Sequence, residues 1–200
     1  TDRYTLAAFT SKGCVMSTAD VITRAALDLF YRQGFHASGV EQLSQSAGVT
    51  KKTLYRHFPS KEHVVEAALQ LRHAEFMNQM ATAVEGADQA NRPQAYIDFI
   101  ICWVQSADFH GCAFINASAE YSAQSAPPHV LASQHKQQVL NYLQGICTQA
   151  GLTQPAAVAM QLFVIGEGLI VTSQVSGFAP AMLPAIHEMV AVLCGASPRE

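Results

Sequence analysis

"GVTKKTLYRHFPSKEHVVEAAL", residues 48–69, places Lys51, Lys52, Arg56 and Lys61 within fourteen positions, with no carboxylate before Glu62. Leu54, Tyr55 and Phe58 are interleaved among these cations. Thr50 reads as an N-cap, with Val49 placed to staple against Leu54, and Pro59 ends the helix at Phe58 by disfavouring a helical residue before it. Leu54 and Phe58 lie one turn apart and mark the core-facing side. At about 100° per residue, Lys52 and Arg56 then point most nearly away from the core, flanked by Lys51, Thr53 and Tyr55. Such a stripe offers donors to phosphates and guanine edges, and an aromatic ring with a hydroxyl. A solvated basic face is the plainer reading of the same residues.

The elements on either side give the stretch its context. Ser17, three residues before Asp20, has the form of a capping box, and Ile22, Ala25, Ala26, Leu29 and Phe30 follow at helical spacing until Gly34. A short helix over 40–47 carries Val40, Leu43 and Ala47 on one side and is broken by Gly48. Two short helices joined at that glycine, the second one basic, form a helix-turn-helix candidate. Ser60 caps a fourth, long helix running into the 80s.

The charge distribution agrees. Residues 1–72 hold nine Lys/Arg against six Asp/Glu, while residues 73–200 hold three against nine, in a chain of net charge −3. The positive part suits a polyanion and the remainder does not. Half of the 200 residues are hydrophobic, enough for a real core. Five scattered cysteines without a C-x-x-C pair fit a reducing compartment. The first fifteen residues lack helical or strand period and read as a loose arm, with no signal peptide, and Met16 is a possible start. The apolar run 155–172 contains Gln161, Glu167 and two glycines, which favours a buried or interfacial helix over a membrane span. The expected location is cytoplasmic.

The chain reads as all-α, about nine helices, without a strand pattern or internal repeat. "EGADQANRP" (85–93) reads as a linker, followed by helices near 94–107, 111–122, 129–150, 155–176 and 181–194. The expected organisation is an arm over 1–15, a DNA-binding domain over 16–72, and a regulatory, ligand-binding and dimerisation domain over 73–200.

Residues 17–65, through "AALDLFYRQGFHASGVEQLSQSAGVTKKTLYRHFPSKEHVV", resemble the DNA-binding domain of the tetracycline-repressor (TetR) family of transcriptional regulators. "GCAFINASAE" (111–120) resembles a stretch found in many members' regulatory domains. The resemblance implies that the third helix enters the major groove. It also implies that Ser38, Thr50, Tyr55, His57 and Lys61 match positions that commonly touch the DNA backbone. Lys51, Lys52 and Arg56 lie where members vary and operator choice resides, and Thr53 and Leu54 match structural positions. His57 equally suits a packed or exposed histidine beside Phe58.

One helix-turn-helix reads few base pairs, so useful affinity requires two copies. The apolar helices of residues 155–194 fit a pair that packs on its symmetry mate as a four-helix bundle, and in relatives the last two helices do this. Gly166 and Gly168 suit either that interface or packing within the subunit. Candidate residues for an effector pocket are the aromatic Phe99, Trp103, Phe114, Tyr121 and Phe163 and the polar Asn116, Glu120, His135 and Glu167. The alternatives are ordinary core for the aromatics and an interhelical hydrogen bond for Asn116 and Glu120. His110 with Cys112, or His129 with His135, lacks structural-zinc spacing, so no metal is expected, and no cofactor motif is present. Without a nucleophile elbow, zinc-protease helix or P-loop the chain does not read as an enzyme. The resemblance thus implies a repressor released from operator DNA by an unknown small molecule. A DNA-binding regulator without an inducer is the alternative, favoured if the fold lacks an internal cavity.

Overall fold

The structure is a computed structural model that describes residues 16–195. The expected arm over 1–15 lies outside the described residues. Among the described residues, nine α-helices run in the order α1 (Thr18–Gln33), α2 (Val40–Ser46), α3 (Lys51–His57), α4 (Lys61–Glu85), α5 (Arg92–Val104), α6 (Ala113–Glu120), α7 (Pro127–Gln149), α8 (Pro155–Ser176) and α9 (Leu183–Leu193). Single 3-10 turns precede α5 and α9, and no strand occurs among the described residues. Two compact units divide between Leu71 and Arg72, so α4 contributes to both.

In the first unit, Ser17 closes its capping box with Asp20: the Asp20 N–H donates to the Ser17 hydroxyl (3.1 Å) and the Ser17 N–H to the Asp20 carboxylate (3.0 Å). Ile22, Ala26, Leu27 and Phe30 bury one face of α1. Gly34 ends the helix with φ 88° and ψ 164°, a positive φ outside the left-handed helical basin. Leu43, Leu54, Val64, Val65 and Ala68 complete this core.

In the second unit α8 packs against α5, α7 and α9, and α6 lies on α7. By length and composition α8 passes for a membrane span. Val158, Ala159, Leu162, Gly166, Leu169, Ile170 and Ser173 are its buried residues. Met160, Val164, Val171 and Val175 remain exposed at helical spacing along another face, as do Met189 and Val192 on α9.

The expected linker 85–93 is partly helical. A 3-10 turn occupies Gln89–Asn91 and α5 starts at Arg92, with Pro93 in its first turn. Arg92 is tied by its guanidinium to Gln149 Oε1 (2.7 Å), and this long-range bond orders a polar segment that has no apolar pattern. α7 likewise begins inside the expected loop because Pro127 and Pro128 occupy the first turn, where a missing N–H costs nothing.

Candidate functional site

The turn between α2 and α3 is fixed by its own backbone. Gly48 adopts φ 65°, its N–H donates to the Gln45 carbonyl (3.0 Å), and the Val49 N–H reaches the Ser44 carbonyl (2.9 Å). This paired bonding is the Schellman closure, which a residue with a Cβ enters only under strain. Thr50 then caps α3, its hydroxyl accepting from the Thr53 N–H (3.1 Å) and lying 3.0 Å from the Thr53 hydroxyl. Leu54 is the residue of α3 that becomes fully buried. Phe58 follows the helix as its C-cap and is half-buried.

With Leu54 turned inward, Lys51, Lys52, Tyr55, Arg56 and His57 are all exposed. Tyr55 leaves 49% of its surface in solvent, a large amount for an aromatic residue with no packing reason to be there. His57 is therefore a surface histidine. Lys51 forms an ion pair with Glu41 of α2, in which both side chains are more than half exposed. Such a pair is worth little in water and exchanges readily for another anion. Lys61 is half-buried and donates to the His36 carbonyl (3.2 Å), which holds its ammonium beside the loop between α1 and α2 and leaves donors to spare.

Ser38 is a correction. It is fully buried, and its hydroxyl donates to the Gly34 carbonyl (2.7 Å), so it stabilises the α1–α2 loop and cannot meet a phosphate. Thr53 is half-buried and hydrogen-bonded within α3, as a structural position should be.

The second unit encloses an internal pocket lined by residues of α4, α5, α6, α7 and α8. Of the expected candidates, Trp103, Phe114, His135 and Glu167 line it. Phe99 stops short, meeting Phe76 ring to ring at 5.4 Å. Asn116 accepts a hydrogen bond from Gln174 Nε2 (2.8 Å), the interhelical bond that was its alternative. Glu120 and Tyr121 end α6 away from the lining, and the Tyr121 carbonyl is 2.9 Å from His129 Nδ1. Phe163 belongs instead to an outer groove, which it lines with Ser118, His129 and Leu140. Phe114 and Lys136 are shared by groove and pocket.

Arg72, Phe76, Tyr96 and Lys136 also line the pocket, and the sequence reading missed them. The Arg72 guanidinium lies over the rings of Phe76 (5.7 Å) and Trp103 (5.3 Å). Lys136 is hydrogen-bonded to Glu167 (2.7 Å) and stands 3.5 Å from the Cys112 sulfur. Tyr96 is 1% exposed; burial, and then the neighbouring Glu167 and Cys112, push its phenol far up, so it stays protonated.

His135 stacks flat on Phe114, centroids 3.6 Å apart, and its Nδ1 lies 2.9 Å from His73 Nδ1. His73 Nε2 in turn lies 3.1 Å from the Gln138 amide oxygen. With the proton of His73 on Nε2, its Nδ1 accepts from His135, and both bonds are satisfied. Burial, followed by the charges of Lys136, His73 and Arg72, pushes His135 down to about 2, so the ring is neutral.

Residues 22–68 match a family profile described as "Bacterial regulatory proteins, tetR family". The HTH-type transcriptional activator FasR of Mycolicibacterium smegmatis is 35% identical over 88 residues, covering 38% of this chain and 37% of FasR. The HTH-type transcriptional regulator RutR of Escherichia coli is 44% identical over 55 residues, 28% of this chain and 26% of RutR. The similarity to these relatives thus spans well under half of their length. Over the whole fold, a TetR-family transcriptional regulator from Streptomyces coelicolor superposes with a TM-score of 0.79 at 26% identity, covering 89% of this chain and 94% of that one. Profile and relatives agree that residues 22–68 are a DNA-binding domain of the tetR family of bacterial regulatory proteins, and the whole chain has the fold of TetR-family regulators.

Proposed function

We propose that the protein is a cytoplasmic, sequence-specific DNA-binding transcriptional regulator that acts as a homodimer and is released from its operator by a small molecule. The observation that carries this reading is the face of α3: Lys52, Tyr55 and Arg56 are exposed while Leu54, among them, is fully buried. The helix sits behind a closed turn that fixes its entry angle, as a major-groove reader needs. Arg56 and Lys52 are the base-reading candidates, and Thr50, Lys51, Tyr55, His57 and Lys61 the phosphate-contacting ones.

The dimer surface we assign is the exposed stripe Met160, Val164, Val171 and Val175 on α8 with Met189 and Val192 on α9. Gly168 lies on the same face, with nothing within 4 Å of the position a Cβ would take. An apolar stripe of this kind is otherwise costly in water, and a second copy covers it under two-fold symmetry. Repression is the polarity proposed, although the relative FasR is named an activator; a reporter downstream of the bound site distinguishes the two.

The internal pocket bears on the effector. It encloses about 10 Å³, room for about one water, and this observation favours the second reading, a regulator without an inducer. Against it stand the outer groove of about 360 Å³ that shares Phe114 and Lys136 with the pocket, and the concentration of polar side chains inside. An effector that binds preferentially to a dimer whose α3 helices are not about 34 Å apart must lower operator affinity by linkage.

Selection of bound duplexes from a random DNA pool tests the main reading. Enrichment of a two-fold symmetric site is expected; a pool indistinguishable from its input refutes it. Compounds titrated against the resulting complex then separate the inducible from the non-inducible regulator.

A further inference from the structure

The pocket's unmet chemistry points to one class of ligand. Glu167, the carboxylate among its lining residues, is committed to Lys136 at 2.7 Å. His135 is neutral, and Arg72 has no carboxylate partner among the described residues, its guanidinium resting on aromatic faces. The lining therefore carries one uncompensated positive charge. The second observation is Tyr96. It is 1% exposed, its side chain lines the pocket, and burial keeps its phenol protonated. A protonated phenol in the lining is a donor for an acceptor group of a ligand. Donors of Arg72, Tyr96 and Lys136 thus converge where the one carboxylate is already engaged. The walls are flat: Phe76 and Trp103 meet edge to face at 5.3 Å, and Phe114 lies parallel to His135.

We propose that this pocket binds a planar aromatic or conjugated monocarboxylate, its ring against Phe76, Trp103 and Phe114 and its anion drawn to Arg72 and Tyr96. The inference rests on the effector reading for its consequence and on the pocket alone for its chemistry. The closed pocket has room for about one water, so the ligand enters only when Phe114 or Lys136, which line both cavities, moves and joins the pocket to the groove of about 360 Å³. A cationic ligand meets Arg72 and Lys136 with no free carboxylate. A neutral one fills the walls but leaves the Arg72 charge unanswered.

The protein supplies its own reporter, since Trp103 is the single tryptophan and lines the pocket. Cinnamate, cinnamamide and cinnamylamine are titrated into the full-length protein by calorimetry and Trp103 emission. Cinnamate is expected to bind about ten- to a hundredfold more tightly than the amide, the range of a charge-assisted hydrogen bond over a neutral one, and the amine weakest. Arg72→Gln should erase the preference, Arg72→Lys should keep part of it, and Tyr96→Phe should reduce cinnamate affinity several-fold, with helicity checked in each. Equal affinity for acid and amide, preference for the amine, or no saturable binding by the three overturns the proposal. Operator release is measured separately: cinnamate that binds through Arg72 without displacing DNA refutes the effector reading and leaves the ligand class standing.

Discussion

The Tyr96 hydroxyl lies 2.5 Å from the point where a Cβ on Gly166 would sit. The glycine is thus internal packing: Gly166 faces a side chain of its own subunit, while Gly168 faces open space. Gly166→Ala should destabilise the protein by about 1–3 kcal/mol, as overpacking does. Adding Tyr96→Phe should recover part of the loss, because the nearest atom is removed while the ring at 3.2 Å stays close. Chemical denaturation of the two single variants and the double variant measures the coupling.

His135 gives a pH dependence with a defined sign. Its pKa is depressed in the folded state, from the ordinary 6.5 to about 2, so only the unfolded chain takes up this proton as the solution acidifies. The contribution is complete above about pH 6.5 and is lost as pH falls, at up to about 1.4 kcal/mol per pH unit. Denaturation curves between pH 7 and 5 should show a shallower loss for His135→Gln than for the unsubstituted protein. Parallel profiles would show that His135 takes up its proton equally in both states.

The Lys51–Glu41 pair places a carboxylate beside the proposed DNA-contacting face. Glu41→Gln should strengthen binding to the selected duplex and steepen its salt dependence slightly, because Lys51 then neutralises phosphate without a competitor. Anisotropy titrations at several salt concentrations read both effects. Weaker binding by Glu41→Gln would mean that the pair orients Lys51 rather than restraining it.

Val164 is 60% exposed on the apolar stripe of α8. Val164→Glu should convert a dimer to a monomer at micromolar concentration, since a charge in an apolar interface is left without compensation, while helicity is retained. Sedimentation velocity is the check, and a dimer unaffected by this substitution would place the interface elsewhere.

The parts that were legible in the sequence are those specified by neighbouring residues. Ser17 with Asp20, Thr50 with Thr53 and Gly48 each act over three or four positions, so the first four helices followed from local chemistry. α8 was legible end to end because Pro155 opens it and Gly177 closes it. Ser38 was not, since its burial comes from packing and its role was carried by resemblance alone. At the start of α5, Arg92 is hydrogen-bonded to Gln149, fifty-seven positions away, a contact no local pattern announces. The pocket was only half visible: Arg72, Phe76 and Tyr96 read as boundary and core until four other helices are folded around them. The tyrosine within the apolar α5 was the available signal, because its hydroxyl needs a partner that the helix does not supply.

The central claim is that the outward face of α3 reads DNA. The most direct measurement is the affinity of the full-length protein for its selected duplex and for a scrambled one, with Lys52→Ala and Arg56→Ala compared at several salt concentrations. Both positions are exposed, so thermal stability should barely change. Arg56→Ala should cost about 1–3 kcal/mol on the selected duplex and relax preference at one base pair, with less effect on the scrambled one. Equal affinity of the unsubstituted protein for both duplexes, or substitutions that leave the selected complex untouched, would contradict the account.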